Sequence, residues 1–160
     1  MQVVELDPED PTLAEVLPVL AELRPHLDLD TFREVYAEGW TQGLRFSALF
    51  DEDECVAVAG WRVVACTSSL RKLYVDDLVT SAAVRSAGHG RTLLTHLRHI
   101  AATEGCAVLD LDSGTQRVDA HRFYEREGLS VTAMHFAQSV TPEPAEPLHP
   151  ERVNESDETD

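Results

Sequence analysis

The spacing of apolar and polar positions changes several times along the chain, and each change marks an element. Gln2 to Leu6 reads as a short first strand ended by Asp7-Pro8. Leu13, Val16, Leu17, Leu20 and Leu23 then recur at helical spacing. Thr12 is the expected N-cap of this helix and Glu15 its capping-box partner. Pro18 is expected to kink the helix or shift its start. A second helix is expected from Asp30 to Glu38, stopped by Gly39. Residues 44–50 read as a strand, Asp51 to Glu54 as a hairpin turn, and Cys55 to Cys66 as the partner strand, with a bulge at Gly60. Leu73 to Val79 is a third strong strand. After a small-residue loop, a helix runs to about Glu104, with Leu93, Leu94, Leu97, Ile100 and Ala101 on one face and Gly105 as its C-cap. Ala107 to Asp112 alternates as a strand, Arg117 to Glu127 forms a helix ended by Gly128, and Leu129 to Val140 reads as a final strand or hairpin arm.

The order is therefore β-α-α-β-β-β-α-β-α-β. The strand-helix-strand unit at residues 73–112 is a right-handed crossover between parallel strands, while the earlier hairpin is antiparallel. The expected fold class is α/β (α+β), with a central twisted mixed sheet flanked by helices. One domain is expected over residues 1–140, followed by an acidic, Pro/Glu-rich disordered tail over residues 141–160.

Charge narrows the partners. The 160 residues carry a net charge of −16. Residues 141–160 hold seven acids and one base, hence −6, which leaves −10 for the rest. Such a chain is a poor partner for nucleic acid or an anionic membrane, since both need a basic surface. It permits a cationic partner. The three cysteines, Cys55, Cys66 and Cys106, are odd in number and form no C-x-x-C pair. Reduced thiols in the cytoplasm are expected, without structural zinc. The N-terminus lacks a signal-peptide pattern, and no apolar run approaches the ~18 residues of a membrane span.

The loop Arg85-Ser86-Ala87-Gly88-His89-Gly90 lies between the third strong strand and the long helix. Its glycines let the backbone come close to a ligand. The helix behind it offers free N–H groups and the positive end of its dipole, an arrangement suited to a pyrophosphate. No Gly-Lys-Ser/Thr follows, so it is not a P-loop, and Leu93 stands where a dinucleotide fingerprint needs its third glycine. On its own the loop also reads as a simple glycine-rich helix start.

The run Tyr74 to Gly90 resembles motif A of the GNAT family of N-acetyltransferases, with Arg85, Gly88 and Gly90 in the signature positions. Downstream, Phe123-Tyr124-Glu125-Arg126-Glu127-Gly128-Leu129 is similar to that family's helix ending in Tyr-Glu-x-x-Gly-Phe. The resemblance covers about residues 2–140 and implies the GNAT fold, with acetyl-CoA as acyl donor and no metal. It implies that backbone N–H groups of Arg85, Ser86, Ala87, Gly88, His89 and Gly90, with Arg91 and Thr92 opening the helix, hold the pyrophosphate. It also implies that the pantetheine arm pairs with Leu78, Val79 and Thr80, and that an N–H near Val79 polarises the thioester carbonyl. A homodimer is common among such proteins. Arg117 stands where the family often has Asn, Ser86 where Gly is frequent, and Leu129 where Phe is usual.

Attack by an amine requires its neutral form, so a base must remove a proton. The run Tyr74-Val75-Asp76-Asp77 is similar to the Tyr-Leu-Glu-Asp run of diamine and polyamine acetyltransferases, which makes Asp76 the expected base. Neighbouring strand residues face opposite sides, so Asp77 is expected to bind a neighbouring loop, a partner or the amine. Tyr124 occupies the family's general-acid position. Residues 24–43 usually cover the acceptor side; they contain Tyr36 and Trp40 beside Asp28, Asp30, Glu34 and Glu38, a lining suited to a cation or a plain solvated face. His96 and His99 are expected on a solvated helix face, and His121 and His135 are unplaced. The expected activity is transfer of an acetyl group to a primary amine of a small molecule by direct attack. A non-catalytic acyl-CoA sensor and an acetyltransferase for protein N-termini or lysines remain alternatives.

Overall fold

The computed structural model describes residues 1–142; the acidic tail from residue 143 onward lies outside the described residues. Strands β1 (Gln2–Leu6), β2 (Arg45–Asp51), β3 (Glu54–Cys66), β4 (Leu70–Thr80) and β5 (Val108–Leu111) form one sheet in that order. Each neighbouring pair among the first four is antiparallel, and β5 adds parallel to β4. Helices α1 (Leu13–Ala21) and α2 (Leu29–Thr41) connect β1 to β2, α3 (His89–Thr103) makes the crossover from β4 to β5, and α4 (Val118–Arg126) follows β5.

The sheet is covered on both faces. One core cluster joins Leu13, Val16 and Leu20 of α1 and Phe32 and Tyr36 of α2 to Phe46, Ala48 and Val58. The other joins Leu93, Leu97 and Ala101 of α3 to Ala57, Ala59, Leu73 and Val75. This is why residues 46–50 of β2 are buried without alternation: each face of that strand meets a helix layer.

Several local expectations need correction. Thr12 makes no side-chain cap; the first turn closes through its carbonyl instead. Helix α1 starts at Leu13 and runs through Pro18. Helix α2 runs past Gly39 to Thr41, N-capped by Asp28, whose carboxylate accepts from Thr31 N–H at 2.8 Å. The final strand is absent: residues 129–142 carry no regular structure in the described chain. The expected bulge is present. The β3–β4 register shifts between Gly60 and Trp61, with Gly60 opposite Asp77 and Trp61 opposite Val75, so Asp76 is the extra residue. Gly60 is required by contact, since a Cβ there would lie 2.9 Å from Phe46 Cε1 and 3.0 Å from Asp77 Oδ2.

Candidate active site

Strands β4 and β5 pair from Lys72↔Val108 to Val75↔Leu111, and there β5 ends. β4 continues for five residues to Thr80 with β3 on one side only. The sheet therefore splits beyond Val75, at the carboxyl ends of two parallel strands, where open α/β sheets place ligands. The free edge of β4 offers backbone groups to an extended, amide-bearing arm. Ser81 N–H donates to Val56 O at 2.9 Å across the β3–β4 ladder. Alternation then turns Val79 N–H toward β3, and those of Leu78 and Thr80 toward the open edge. The sequence expectation put the polarising donor near Val79; the ladder assigns the free donors to Leu78 and Thr80.

A short 3-10 turn, Ala82–Val84, leads from β4 into the glycine loop. Gly88 has φ +91° and caps α3 in the left-handed region, and Ser86 also has positive φ, at 68°. Ser86 thus occupies a conformation that favours glycine, the residue frequent at this position in the resemblance. Among the described residues, the backbone N–H groups of Ser86 to Arg91 donate to no protein atom. Thr92 differs: its N–H and its hydroxyl both bond Gly88 O, so it belongs to the helix cap rather than to the donor set. Gly90 is small because two elements meet over it. A Cβ would lie 3.3 Å from Phe123 Cζ and 3.3 Å from Thr80 Oγ1. His89 is buried, and its Nδ1 has no partner. Arg85 reaches Glu22, whose carboxylate also accepts from Ala82 N–H at 2.9 Å.

Beyond the split lies a cleft of about 130 Å³, lined by Arg24, Asp76 and Leu78 on one side and by Asp112, Arg117 and Tyr124 on the other. The bulge breaks strand alternation, and Asp76 is the acid that reaches this cleft. Both its carboxylate oxygens accept from Arg62, at 2.8 and 2.9 Å, and its carbonyl accepts from Arg24. Asp77 does not line the cleft. It is partly buried and accepts from Arg24 Nε at 2.7 Å. Burial pushes the Asp77 carboxyl above its usual value, and the Arg24 guanidinium opposes that shift.

Tyr124 is held on α4, half-buried, with no partner for its hydroxyl among the described residues. Burial raises its pKa, against the pull of Arg117. Glu127 fixes the end of α4 to α3 by pairing with Arg91 at 2.7 Å and with Arg98. Tyr36 and Trp40 lie elsewhere. Tyr36 is wholly buried in the core; its hydroxyl donates to Leu6 O at 2.7 Å and accepts from Phe46 N–H. Trp40 packs edge-on against Tyr36, with the Arg45 guanidinium 3.7 Å from its ring centroid. The aromatic and acidic lining expected from residues 24–43 is thus not formed: of that stretch only Arg24 borders the cleft.

Other cleft residues went unread in the sequence. Asp112 accepts from the Tyr74 hydroxyl at 2.8 Å and lies 3.1 Å from His135 Nδ1. Burial, with Asp112 as acceptor second, pushes the Tyr74 phenol up to about 12. His121 Nε2 donates to Gly114 O at 3.0 Å on the same wall. Asp112 had a signal, its place at the end of a crossover strand; Arg24 and Arg62 had none, because they reach Asp77 and Asp76 from 53 and 14 residues away. His96 bonds Glu5 at 2.6 Å, and among the described residues no group of His, Cys, Asp or Glu is arranged to hold a metal.

β4 thus runs on past the end of β5, a donor loop without protein partners opens α3, and Asp76 and Tyr124 line one cleft. The profile of the family described as Acetyltransferase (GNAT) family matches residues 13–129, and the chain belongs to that family. It is 33% identical over 129 residues, 79% of this chain and 91% of the other, to the uncharacterized N-acetyltransferase YhdJ of Bacillus subtilis (strain 168). Among solved structures it is similar to a putative acetyltransferase from Agrobacterium tumefaciens str. C58, with TM-score 0.75, 23% identity, and coverage of 88% of this chain and 100% of that one. It is also similar to the aminoglycoside N-acetyltransferase AAC(6')-Iy in complex with CoA, with TM-score 0.75, 12% identity, and coverage of 87% and 93%. At these identities the two structures speak for the fold. The chain is an acetyl-CoA-dependent acyltransferase of the GNAT family, and no helix among the described residues is long and apolar enough to cross a membrane.

Proposed function

We propose that the protein acetylates a primary amine on a small molecule. The observation that carries this reading is one cleft lined by both Asp76 from β4 and Tyr124 from α4, at the open end of the split sheet. Acetyl-CoA supplies the activated acyl group. The free N–H groups of Ser86 to Arg91 suit its phosphates, and those of Leu78 and Thr80 suit its arm and thioester carbonyl. Asp76, anchored by Arg62, takes the amine proton directly or through water. Tyr124, kept protonated by burial, gives its hydroxyl proton to the departing thiolate.

The cleft favours an amine that is not a polycation. Its lining combines Arg24 and Arg117 with Asp76 and Asp112, and two of the nearby acids are already paired with arginines. At about 130 Å³ it suits a small molecule better than a peptide. The aminoglycoside acetyltransferase of the same fold acts on an amino sugar by its name, and amino sugars belong in the acceptor panel. The test is thiol release from acetyl-CoA across amino acids, amino sugars, monoamines and polyamines, with Asp76→Asn and Tyr124→Phe beside the parent. Turnover of one small amine, lost in both variants, supports the reading. Tight acetyl-CoA binding without turnover of any amine overturns it in favour of a sensor.

A further inference from the structure

The turn from β5 into α4 supplies Asp112, Ser113, Gly114 and Arg117 to one wall of the cleft. It is tied at its centre, where Gly114 O accepts from Arg117 N–H at 2.9 Å and lies 3.0 Å from His121 Nε2. Arg117 is the N-cap of α4, and no side chain caps the helix. The first N–H groups of α4 therefore lack a side-chain acceptor, and Ala120 of that turn lines the cleft. Asp119, the acid of the same turn, is 98% exposed and bonded to Arg122, away from this wall.

The charges around the cleft are matched in pairs, with one left over. Both oxygens of Asp76 accept from Arg62. Arg24 is held by Asp77 and by Asp76 O. Asp112 accepts from the Tyr74 hydroxyl and lies 3.1 Å from His135 Nδ1. The Arg117 guanidinium has no hydrogen-bonded or ionic partner among the described residues, yet it lines the cleft, and its charge acts on Tyr124. On the same wall the Ser113 hydroxyl is buried and bonds nothing. A buried hydroxyl without an acceptor is destabilising, and an anionic group of a ligand would supply one. In a chain of net charge −16, a cleft with an unmatched cation is set apart from the rest of the molecule.

We propose that the acceptor is a small amine that also carries a carboxylate, an amino-acid-like compound, and that Arg117 and Ser113 bind this carboxylate while the amine faces Asp76 across the cleft. This assignment rests on the acetyl-transfer reading of the site. A guanidinium fork with a neighbouring hydroxyl matches the two oxygens of a carboxylate, and the start of α4 adds a favourable dipole. The donor's phosphates have their own groups, the free N–H groups of Ser86 to Arg91, beyond the other end of the open β4 edge. Arg117 shares its cleft with Asp76 and Tyr124, where the acyl group is transferred.

The experiment uses the full chain. Thiol release from acetyl-CoA is measured for amino acids, each beside its amide and its decarboxylated amine. The acid is expected to exceed both in kcat/KM on the order of tenfold or more. The amide holds its amine less basic and so more of it neutral, so proton loss alone favours the amide. Arg117→Gln is expected to bring the acid-to-amide ratio close to one through the acceptor KM, with the KM for acetyl-CoA changed less than about twofold. Arg117→Lys should keep part of the ratio, and Ser113→Ala should lower it by a smaller factor. Acids turned over no better than their amides overturn the assignment and leave amine acetylation standing. A ratio unchanged in Arg117→Gln beside a raised KM for acetyl-CoA overturns it too and gives Arg117 to the donor. If no amine turns over, the acetyl-transfer reading fails, and calorimetric titration of acid and amide in the presence of CoA decides this one. Tighter binding of the acid, lost in Arg117→Gln, supports it; equal or absent binding overturns it. Should Arg117→Gln fail to fold, the parent's ratio and Ser113→Ala decide.

Discussion

Residues 1–101 and residues 102–142 are built differently. The first stretch holds every buried hydrophobic side chain of the described residues, from Leu6 to Ala101, in the two layers either side of the sheet. The second includes β5, α4 and the open segment, and none of its residues is buried to the same degree. The cleft lies on the seam, with Asp76 from the packed part and Tyr124 and Asp112 from the open part. Packing holds β4 and the helix α3 behind the donor loop, while the opposite wall of the cleft has no buried residue. Local stability follows burial, so the acceptor side is the part that opens at least cost. The buried core thus lies in the first region alone, whereas the candidate site draws side chains from both.

That contrast can be broken by mutation. The largest effect belongs to Tyr124→Phe, which removes the proposed proton donor and leaves a half-buried ring in place. Turnover is expected to fall about 10²–10⁴-fold with the melting temperature nearly unchanged. A large loss of stability would show that the open part carries fold as well as chemistry. In the parent, the high-pH limb of turnover that belongs to this tyrosine should lie above its ordinary value of about 10, because burial raises the pKa and delays loss of the proton as pH rises.

Leu97→Ala tests the other side of the contrast. The leucine is fully buried on α3, and its truncation is expected to cost about 2–5 kcal/mol in denaturant unfolding. Val118→Ala, in the open part, should cost less than about 1 kcal/mol in the same assay. Equal losses would erase the distinction between the regions. Gly88→Ala probes the join between them. At φ +91° a side chain is strained by roughly 1–2 kcal/mol. The expected result is weaker acetyl-CoA binding in calorimetry with a modest drop in stability.

The smallest effect is chemical. Hydrogen bonds from Ser69 and Ser68 bring the Cys66 thiol down to about 7, and burial pushes Cys55 up to about 11. Iodoacetamide should label Cys66 first, at a rate that climbs as pH rises through about 7, with Cys55 untouched in the folded chain. Labelling of Cys55 at a similar rate would mean that the packed layer opens readily.

Elements with a local cause were readable along the chain. The strands 45–51, 54–66 and 70–80 and the helix 89–103 follow from periodicity and from Gly88, Gly105 and Gly128 at element ends. The glycine loop was readable as a helix start, and Tyr124 stood out only through the resemblance of residues 123–129 to the family's helix ending. The lining of the cleft was not. Tyr36 looks like a substrate contact until the fold closes around it and bonds its hydroxyl to Leu6. Asp76 and Asp77 are adjacent in sequence, and strand alternation predicts opposite faces; the bulge at Gly60 decides which acid reaches the cleft.

The sequence by itself determined the order of elements up to α4 and the glycine loop that opens α3, because these depend on interactions between near neighbours, and the resemblance of its two motifs supplied the class of reaction. Tertiary structure decided the rest. It paired Arg24 with Asp77 and Arg62 with Asp76, turned the free N–H groups to Leu78 and Thr80, and left residues 129–140 open where periodicity expected a strand. A strand is completed only by a partner edge, and neither register nor long-range ion pairs are written in local spacing.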